Sequence, residues 1–232
     1  MKFRLWTATG ALILGGALLQ GTALRADDKG AKLTGKVTWE GAVPESKKLE
    51  VTKDNAQCEC DAKSKGVANC VVFLKGVTGG PGPALGPAAI DQKGCVFVPH
   101  VALITKGQTA KILNPDGIAH NFHWWSTANP ADNKTIAKFK KELVVGPFEK
   151  AEFIRTTCDI HAWMGGWIVV ADNGYACVTD ACGCFKIEGV PPGKYTLSLW
   201  HEPTSKEGSA LTQEKEIVVE AGKAADAAFT LK

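Results

Sequence analysis

The segment Cys158-Asp-Ile-His161-Ala-Trp-Met164 brings a thiol, an imidazole and a thioether within seven residues. A tight loop between two strands would aim all three side chains at one point. Upstream, the segment Asn114-Pro-Asp-Gly-Ile-Ala-His120-Asn121 adds a second imidazole. Thiolate and thioether ligands favour Cu(I), imidazole binds both oxidation states, and a weak axial Met tunes the potential. The two segments therefore predict one mononuclear copper site, whereas zinc would more often take another Cys, His or carboxylate in place of Met.

Each of these residues also has an ordinary structural explanation. Cys158 could be a disulfide partner, His161 a surface residue and Met164 a packing residue. Met164 is, however, the only methionine after the initiator, so it is not one of many core fillers. The coincidence of the two segments favours the metal site.

The stretch Gly107-Gln-Thr-Ala-Lys-Ile-Leu-Asn-Pro-Asp-Gly-Ile-Ala-His-Asn121, followed by Cys158-x2-His161-x2-Met164, resembles the cupredoxins, the plastocyanin and azurin type of blue-copper protein. The resemblance covers about residues 90–170 and implies a Greek-key β-sandwich. It implies that His120, Cys158 and His161 form a trigonal ligand set, that Met164 is axial and that Asn121 braces the ligand loop. The short spacing from His161 to Met164 departs from the plastocyanin-like pattern, so the site could be green or red rather than blue.

Two further side chains are candidates for contact with the ligands. Trp163 lies between His161 and Met164, where it could exclude solvent or simply fill the sandwich rim. His100 could be another polar group near the metal, although a hydrogen-bonded histidine at a strand end is the more ordinary interpretation. His123 follows His120 by three residues, and this odd spacing on a strand points the two side chains to opposite faces.

Residues 1–26 have the pattern of a signal peptide. Basic residues near the start precede an apolar stretch over residues 11–19, and small residues follow, with Ala26 the preferred cleavage site and Ala23 the next. An uncleaved anchor is the alternative, but the apolar core is shorter than the roughly 20 residues of a membrane span. We therefore expect export to the periplasm, the cell envelope or the medium, with no membrane span after cleavage.

The charge balance excludes some partners. The formal net charge of +3 comes from the basic residues of residues 1–26, which contain no acid, so the rest of the chain is neutral. No basic field is then available for nucleic acid or an anionic membrane.

The remaining sequence predicts an all-β protein. Tyr195-Thr-Leu-Ser-Leu-Trp200 alternates apolar and polar residues, which is typical of a half-buried strand. One helix is indicated by the spacing of Ile136, Phe139 and Leu143. Short strands with Gly and Pro turns favour sandwiches.

The segment from Tyr175 to Leu197 resembles the carboxypeptidase regulatory-like, transthyretin-like (prealbumin-like) sandwich, with Thr-Asp-x2-Gly-x-Phe followed by Pro-Pro-Gly-x-Tyr. Residues 33–41 and 68–74 look like the first half of the same fold. The sequence therefore predicts a split sandwich over residues 27–79 and 171–232, with the cupredoxin domain, residues 80–170, inserted into it. Three consecutive small units are the rival arrangement.

The eight cysteines would ordinarily indicate disulfides in an exported protein. If Cys158 binds copper, seven remain and one is left over. We expect Cys95 to pair with Cys58 or Cys60, and Cys177 to pair with Cys184 across a hairpin.

Three functions are compatible with these patterns. The first is an electron carrier that serves a redox partner protein and is not itself an enzyme. The second is a copper enzyme, or a copper-holding module, linked to polysaccharide or nitrogen metabolism. The third is a metal-free structural or carbohydrate-binding module, although residues 171–232 show no row of aromatic residues that would support a sugar platform.

Overall fold

The computed structural model describes residues 30–41, 65–77, 85–86, 88–138, 142–205 and 207–232. All regular elements in these ranges are strands, which confirms the all-β prediction. The strands are β1 (Ala31–Trp39), β2 (Val71–Lys75), β3 (Ala88–Asp91), β4 (Val101–Thr105), β5 (Gln108–Leu113), β6 (His120–Trp125), β7 (Asp132–Ile136), β8 (Glu142–Phe148), β9 (Glu152–Thr157), β10 (Gly165–Ala171), β11 (Ala176–Val178), β12 (Cys184–Val190), β13 (Gly193–His201), β14 (Leu211–Val219) and β15 (Ala225–Leu231). The predicted signal peptide, Cys58 and Cys60 lie outside the described residues. Within the described ranges, no helix has the length and apolar character needed to cross a bilayer.

One pair of sheets combines the start and the end of the chain. A three-stranded sheet has the order β12-β1-β15, and a four-stranded sheet has the order β11-β2-β13-β14. Strand β1 runs antiparallel to β12 and parallel to β15. Alternate residues of each strand point inward, so Leu33, Phe229, Val72 and Leu197 from the two sheets form one buried cluster. We call this pair of sheets the flanking sandwich.

The second pair of sheets is built from residues 88–171. Its five-stranded sheet has the order β4-β10-β9-β6-β7, and its three-stranded sheet has the order β3-β5-β8. Side chains from both sheets, among them Phe122, Ile112 and Ile168, fill a single buried cluster that also contains Cys158 and Met164. We call this pair the central sandwich, and its core reaches the predicted ligand loop.

Aromatic side chains join the two sandwiches. Trp200 of β13 stacks on Phe153 of β9 with ring centroids 4.6 Å apart, and it meets the edge of Trp167 at 5.0 Å. Val101 and Val169 are buried beside them. The contact is therefore apolar at its centre, and the central sandwich is supported from the side that carries β4, β9 and β10.

The helix prediction over Ile136 to Leu143 is wrong. Ile136 is the last residue of β7 and is fully buried, and Leu143 lies in β8. The apolar spacing arises because two strands follow each other closely, and the β-branched residues Val144 and Val145 favour extended structure.

The predicted bridge between Cys177 and Cys184 is also wrong, because Cys177 carries a free thiol. Cys177 lies on β11 opposite Val72, whereas Cys184 begins β12, which belongs to the other sheet of the flanking sandwich. The two residues are therefore not a cross-strand pair. Cys184 is disulfide-bonded, as is Cys182. Cys70 has a free thiol and is fully buried.

Candidate metal centre

The predicted ligands come from three neighbouring strand ends of the central sandwich. His120 is the first residue of β6, Cys158 directly follows β9, and Met164 directly precedes β10. Within the connecting loop, the Cys158 N–H donates to the Met164 carbonyl at 3.2 Å, and the Met164 N–H donates to the His161 carbonyl at 2.9 Å. These two bonds close the loop tightly, so the seven-residue motif forms one compact turn.

Nitrogen and sulfur atoms converge at this turn. Nδ1 of His120 lies 3.0 Å from Nδ1 of His161, and the Cys158 sulfur lies 3.7 Å from the same His161 nitrogen. Cys158 is 2% exposed and His120 is fully buried, whereas His161 is partly exposed. Met164 is 2% exposed and packs in the same buried cluster as Cys158. The structure thus brings a thiol and two imidazoles together, with the thioether-bearing residue at the end of the same loop.

Asp116 fixes the orientation of the His120 ring. Its Oδ2 lies 3.0 Å from His120 Nε2. A carboxylate accepts hydrogen bonds and cannot donate them, so Nε2 is the donor in this contact, and in the neutral ring Nδ1 then keeps its lone pair towards His161. Burial by itself would raise the pKa of Asp116, but hydrogen bonds from the N–H groups of Gly94 and Cys95 and from His120 lower it below the usual value. A carboxylate behind a ligating histidine is a common device for holding the ring in the metal-binding tautomer.

Asn121 joins strand β6 to the ligand loop. Its Oδ1 accepts the Asp159 N–H at 2.7 Å and the Ile160 N–H at 3.2 Å, and the Cys158 thiol lies 3.3 Å from the same oxygen. Its Nδ2 donates to Oδ1 of Asn133 at 2.6 Å. One buried side chain therefore holds the start of the loop against the strand that carries His120.

His123 lies on the other face of β6, as its odd spacing from His120 predicts. Its Nδ1 lies 3.2 Å from Oδ2 of Asp159, and its ring stacks on Trp125 at 3.7 Å. Burial would raise the pKa of Asp159, but His123, Asn133 and Asn121 together lower it. These contacts hold the Asp159 carboxylate beside His123, on the face of β6 opposite to His120.

The two candidates for contact with the ligands have different surroundings. Trp163 is 59% exposed, and its ring centroid lies 5.3 Å from that of His161, so it borders the site at the surface. Its indole N–H donates to the Cys95 carbonyl at 3.2 Å. His100 instead pairs through Nε2 with Glu202, which also accepts from the Trp167 indole at 2.7 Å. The structure thus shows His100 as a hydrogen-bonded histidine that connects the central sandwich to the flanking one.

Cys95 is the site residue that sequence reasoning missed. The predicted bridge from Cys95 to Cys58 or Cys60 is wrong, because Cys95 carries a free thiol. One ligand atom each from Cys95, His120 and His161 lies within 4.8 Å of the others. No regular spacing relates Cys95 to the histidines, and its position depends on a turn between β3 and β4.

The donor set fits copper. One thiol and two imidazoles, with a thioether-bearing residue adjoining, suit an ion that alternates between a soft cuprous and a harder cupric state. His120 and Cys158 are buried, and hydrogen bonds between Asp116 and His120 and between Asn121 and the loop fix the positions of these two predicted ligands.

No family model matches this chain, and no curated protein matches it. Among solved structures, amicyanin from Paracoccus versutus is 17% identical with a TM-score of 0.33, over 36% of this chain and 80% of that chain. The purple cupredoxin from Nitrosopumilus maritimus is 19% identical with a TM-score of 0.31, over 36% of this chain and 99% of that chain. The copper-containing nitrite reductase from Thermus scotoductus SA-01 is 23% identical with a TM-score of 0.32, over 37% of this chain and 22% of that chain. These similarities leave the larger part of this chain without a counterpart in the three structures.

Proposed function

We propose that this chain is an exported copper protein that carries single electrons between redox partner proteins. The observation that carries the proposal is the approach of Cys158 Sγ to Nδ1 of His161 at 3.7 Å, with Nδ1 of His120 3.0 Å from the same nitrogen. Copper bound there would supply reversible one-electron chemistry. In this proposal Met164 provides the weak axial ligand.

The residues around the ligands support a rigid site. Asp116 holds the His120 ring in one tautomer, and Asn121 fixes the loop through three contacts to Cys158, Asp159 and Ile160. A site whose ligands are already oriented needs little rearrangement when its charge changes by one unit. This property favours an electron carrier.

The surface near the ligands supports docking of a protein partner. Ile118, Ile160 and Trp163 are 45%, 53% and 59% exposed, and each lies within two residues of a ligand histidine in the sequence. Exposed apolar side chains beside a site are available for contact with a partner. His161 is itself partly exposed, so a partner bound there would lie close to the metal.

We also propose that residues 1–26 direct export and that the flanking sandwich is a carboxypeptidase regulatory-like domain interrupted by the central sandwich. The pairing of β1 with β12 and β15 supports an interrupted domain, because strands from both ends of the chain share one sheet. Its role in this proposal is support of the copper domain through the Trp200 contact. A carbohydrate ligand has no support in the described residues.

Copper titration of the exported protein tests the proposal. The full chain is expressed with its own N-terminal segment, recovered from the periplasm of a bacterial host, identified by mass spectrometry and titrated with Cu(II). We expect intense visible absorption from thiolate-to-copper charge transfer and a reversible one-electron potentiometric titration. Cys158→Ser should abolish the absorption, while Cys177→Ser, which removes a free thiol of the flanking sandwich, should leave it intact.

Two results would contradict the proposal. A colourless protein after addition of Cu(II), or a colour that survives Cys158→Ser, would remove the proposed ligand set. Sustained turnover of nitrite or another small oxidant by the coloured protein would instead indicate a copper enzyme.

A further inference from the structure

A second thiol, that of Cys95, lies beside the two histidines. Cys95, His120 and His161 each offer one ligand atom, and these atoms lie within 4.8 Å of one another. Cys95 is partly exposed, whereas Cys158 is 2% exposed. The pair of imidazoles therefore has one thiol in the protein core and another that solvent can reach.

The carboxylate of Asp116, which contacts His120, also holds the backbone of Cys95 in place. Gly94 and Cys95 both have positive φ angles, of 66° and 57°, so their consecutive N–H groups can point the same way. Both donate to the carboxylate of Asp116, at 2.9 and 3.1 Å. The same carboxylate orients His120 through Nε2 at 3.0 Å. One side chain thus sets the positions of Cys95 and His120 together.

The backbone of Cys95 is also tied to the loop that carries His161. The indole N–H of Trp163 donates to the Cys95 carbonyl at 3.2 Å, and the Trp163 ring neighbours the His161 ring. The turn itself is closed by a pair of backbone bonds between Asp91 and Val98, at 2.7 and 2.9 Å. Cys95 is therefore fixed relative to both imidazoles by contacts that do not involve its sulfur.

A thiolate with two imidazoles is a suitable three-donor set for Cu(I), which accepts low coordination numbers and prefers soft sulfur. We propose that Cys95, His120 and His161 form an outer binding set for Cu(I), in which Cys95 is a second thiol ligand. The two imidazoles are then shared between this outer set and an inner set completed by Cys158.

Binding at the outer set exchanges a proton for the ion. The thiol of Cys95 loses its proton to solvent as the copper–sulfur bond forms, and copper stays in the cuprous state, so no oxidant or reductant is needed. The inference shares its histidines with the function proposed above, but it requires Cys95 and does not require Cys158. The two can therefore fail separately.

Anaerobic Cu(I) competition against a chromophoric bicinchoninate chelator tests the outer set. The measurement compares the wild-type chain with Cys95→Ser, Cys158→Ser and the double variant, and Cys177→Ser serves as the control. In the Cys158→Ser background we expect one Cu(I) to remain bound, and the further change Cys95→Ser should weaken its binding by about tenfold or more. X-ray absorption of the Cys158→Ser protein loaded with Cu(I) should show a short copper–thiolate distance, which the double variant lacks.

Alkylation of the Cys158→Ser protein provides a second measurement, because the inner set lacks its thiol in this background. Iodoacetamide should label Cys95 in the metal-free protein, and one equivalent of Cu(I) should protect it, as read by peptide mass spectrometry. Cys177 should label slowly in both states, because burial raises the pKa of its thiol to about 12.

The outcomes separate the two proposals. If Cys95→Ser leaves Cu(I) affinity in the Cys158→Ser background unchanged, or if Cu(I) bound in that background leaves Cys95 fully reactive, the outer set is overturned while the Cys158 colour test is unaffected. If the protein never shows the Cys158-dependent colour but holds Cu(I) through Cys95, the electron-carrier proposal fails and the outer set stands.

Discussion

Free thiols occur in both sandwiches of this protein, but they meet different neighbours. In the flanking sandwich Cys70 and Cys177 lie in or against the apolar core, and burial raises the pKa of each thiol to about 12. In the central sandwich Cys158 and Cys95 face imidazole nitrogens. Burial in apolar surroundings makes a thiol inert, whereas neighbouring imidazole nitrogens give a thiol the partners that a shared metal site requires.

Thiol reactivity offers the largest expected difference between the two regions. With a pKa of about 12, Cys70 and Cys177 are ionised to only about one part in ten thousand at pH 8. We expect iodoacetamide to modify them about a thousandfold more slowly than an unstructured peptide thiol, with the rate rising about tenfold per pH unit. Time-resolved peptide mass spectrometry measures this directly. Labelling of Cys70 at the rate of a peptide thiol would contradict the expectation that the buried thiols of the flanking sandwich are unreactive.

Removal of the carboxylate behind His120 should have the next largest effect. Asp116→Asn keeps the size of the side chain but can present an amide N–H to Nε2, which favours the tautomer that cannot bind metal through Nδ1. We expect copper affinity to fall about 10- to 100-fold, as measured by chelator competition.

The flanking sandwich supplies a matched control for this change. Asp180 likewise accepts two backbone N–H groups, from Cys182 at 2.8 Å and Cys184 at 2.9 Å. Asp180→Asn should therefore lose comparable backbone bonds and leave copper affinity unchanged. Equal losses in the two variants would mean that Asp116 acts only by stabilising its turn.

How far the sequence predicts this site depends on how local each contact is. Cys158, His161 and Met164 share one short loop, so their closeness along the chain could be read from spacing, and the segment Asn114 to Asn121 indicated His120 separately. Cys95 could not be placed, because its position requires a turn between β3 and β4 and the Asp116 carboxylate from another segment. The predicted bridge between Cys177 and Cys184 is wrong for a similar reason. Strands β11 and β12 follow each other in the sequence but belong to different sheets.

Acid should loosen the central sandwich through Glu152. Burial would raise the pKa of this carboxyl, but hydrogen bonds from Ser126, Thr127, Asn129 and Ala128 lower it to about 2. Because the folded pKa lies below the unfolded one, the stabilisation is complete above about pH 5 and is lost as the pH falls towards 2. Glu152→Gln should cost about 1–2 kcal/mol at neutral pH after allowance for solvent screening, and the cost should shrink in acid.

Denaturant unfolding of the metal-free protein at pH 7 and at pH 3 measures this effect. Glu214→Gln is the control in the flanking sandwich, where the carboxylate pairs with Lys75 at the surface. We expect little change from it, because exposed ion pairs contribute little. A pH-independent cost of Glu152→Gln would indicate lost packing rather than lost charge.

The smallest effect on stability should come from exchanging side chains of equal size in the two cores. The same exchange tests most directly how the central sandwich differs from the flanking sandwich. Met164 is 2% exposed and Leu199 is 1% exposed, in the central and the flanking sandwich respectively. Met164→Leu and Leu199→Met each conserve volume, so each should cost less than about 1.5 kcal/mol in denaturant unfolding of the metal-free protein. Only Met164→Leu removes a thioether from the ligand loop, so only it should shift the visible spectrum and the reduction potential of the copper-loaded protein.

An unchanged spectrum in Met164→Leu would show that the thioether is packing and that the ligand set consists of Cys158 and the two histidines. Equal spectral shifts in both variants would mean that the spectrum reports general core strain rather than ligation.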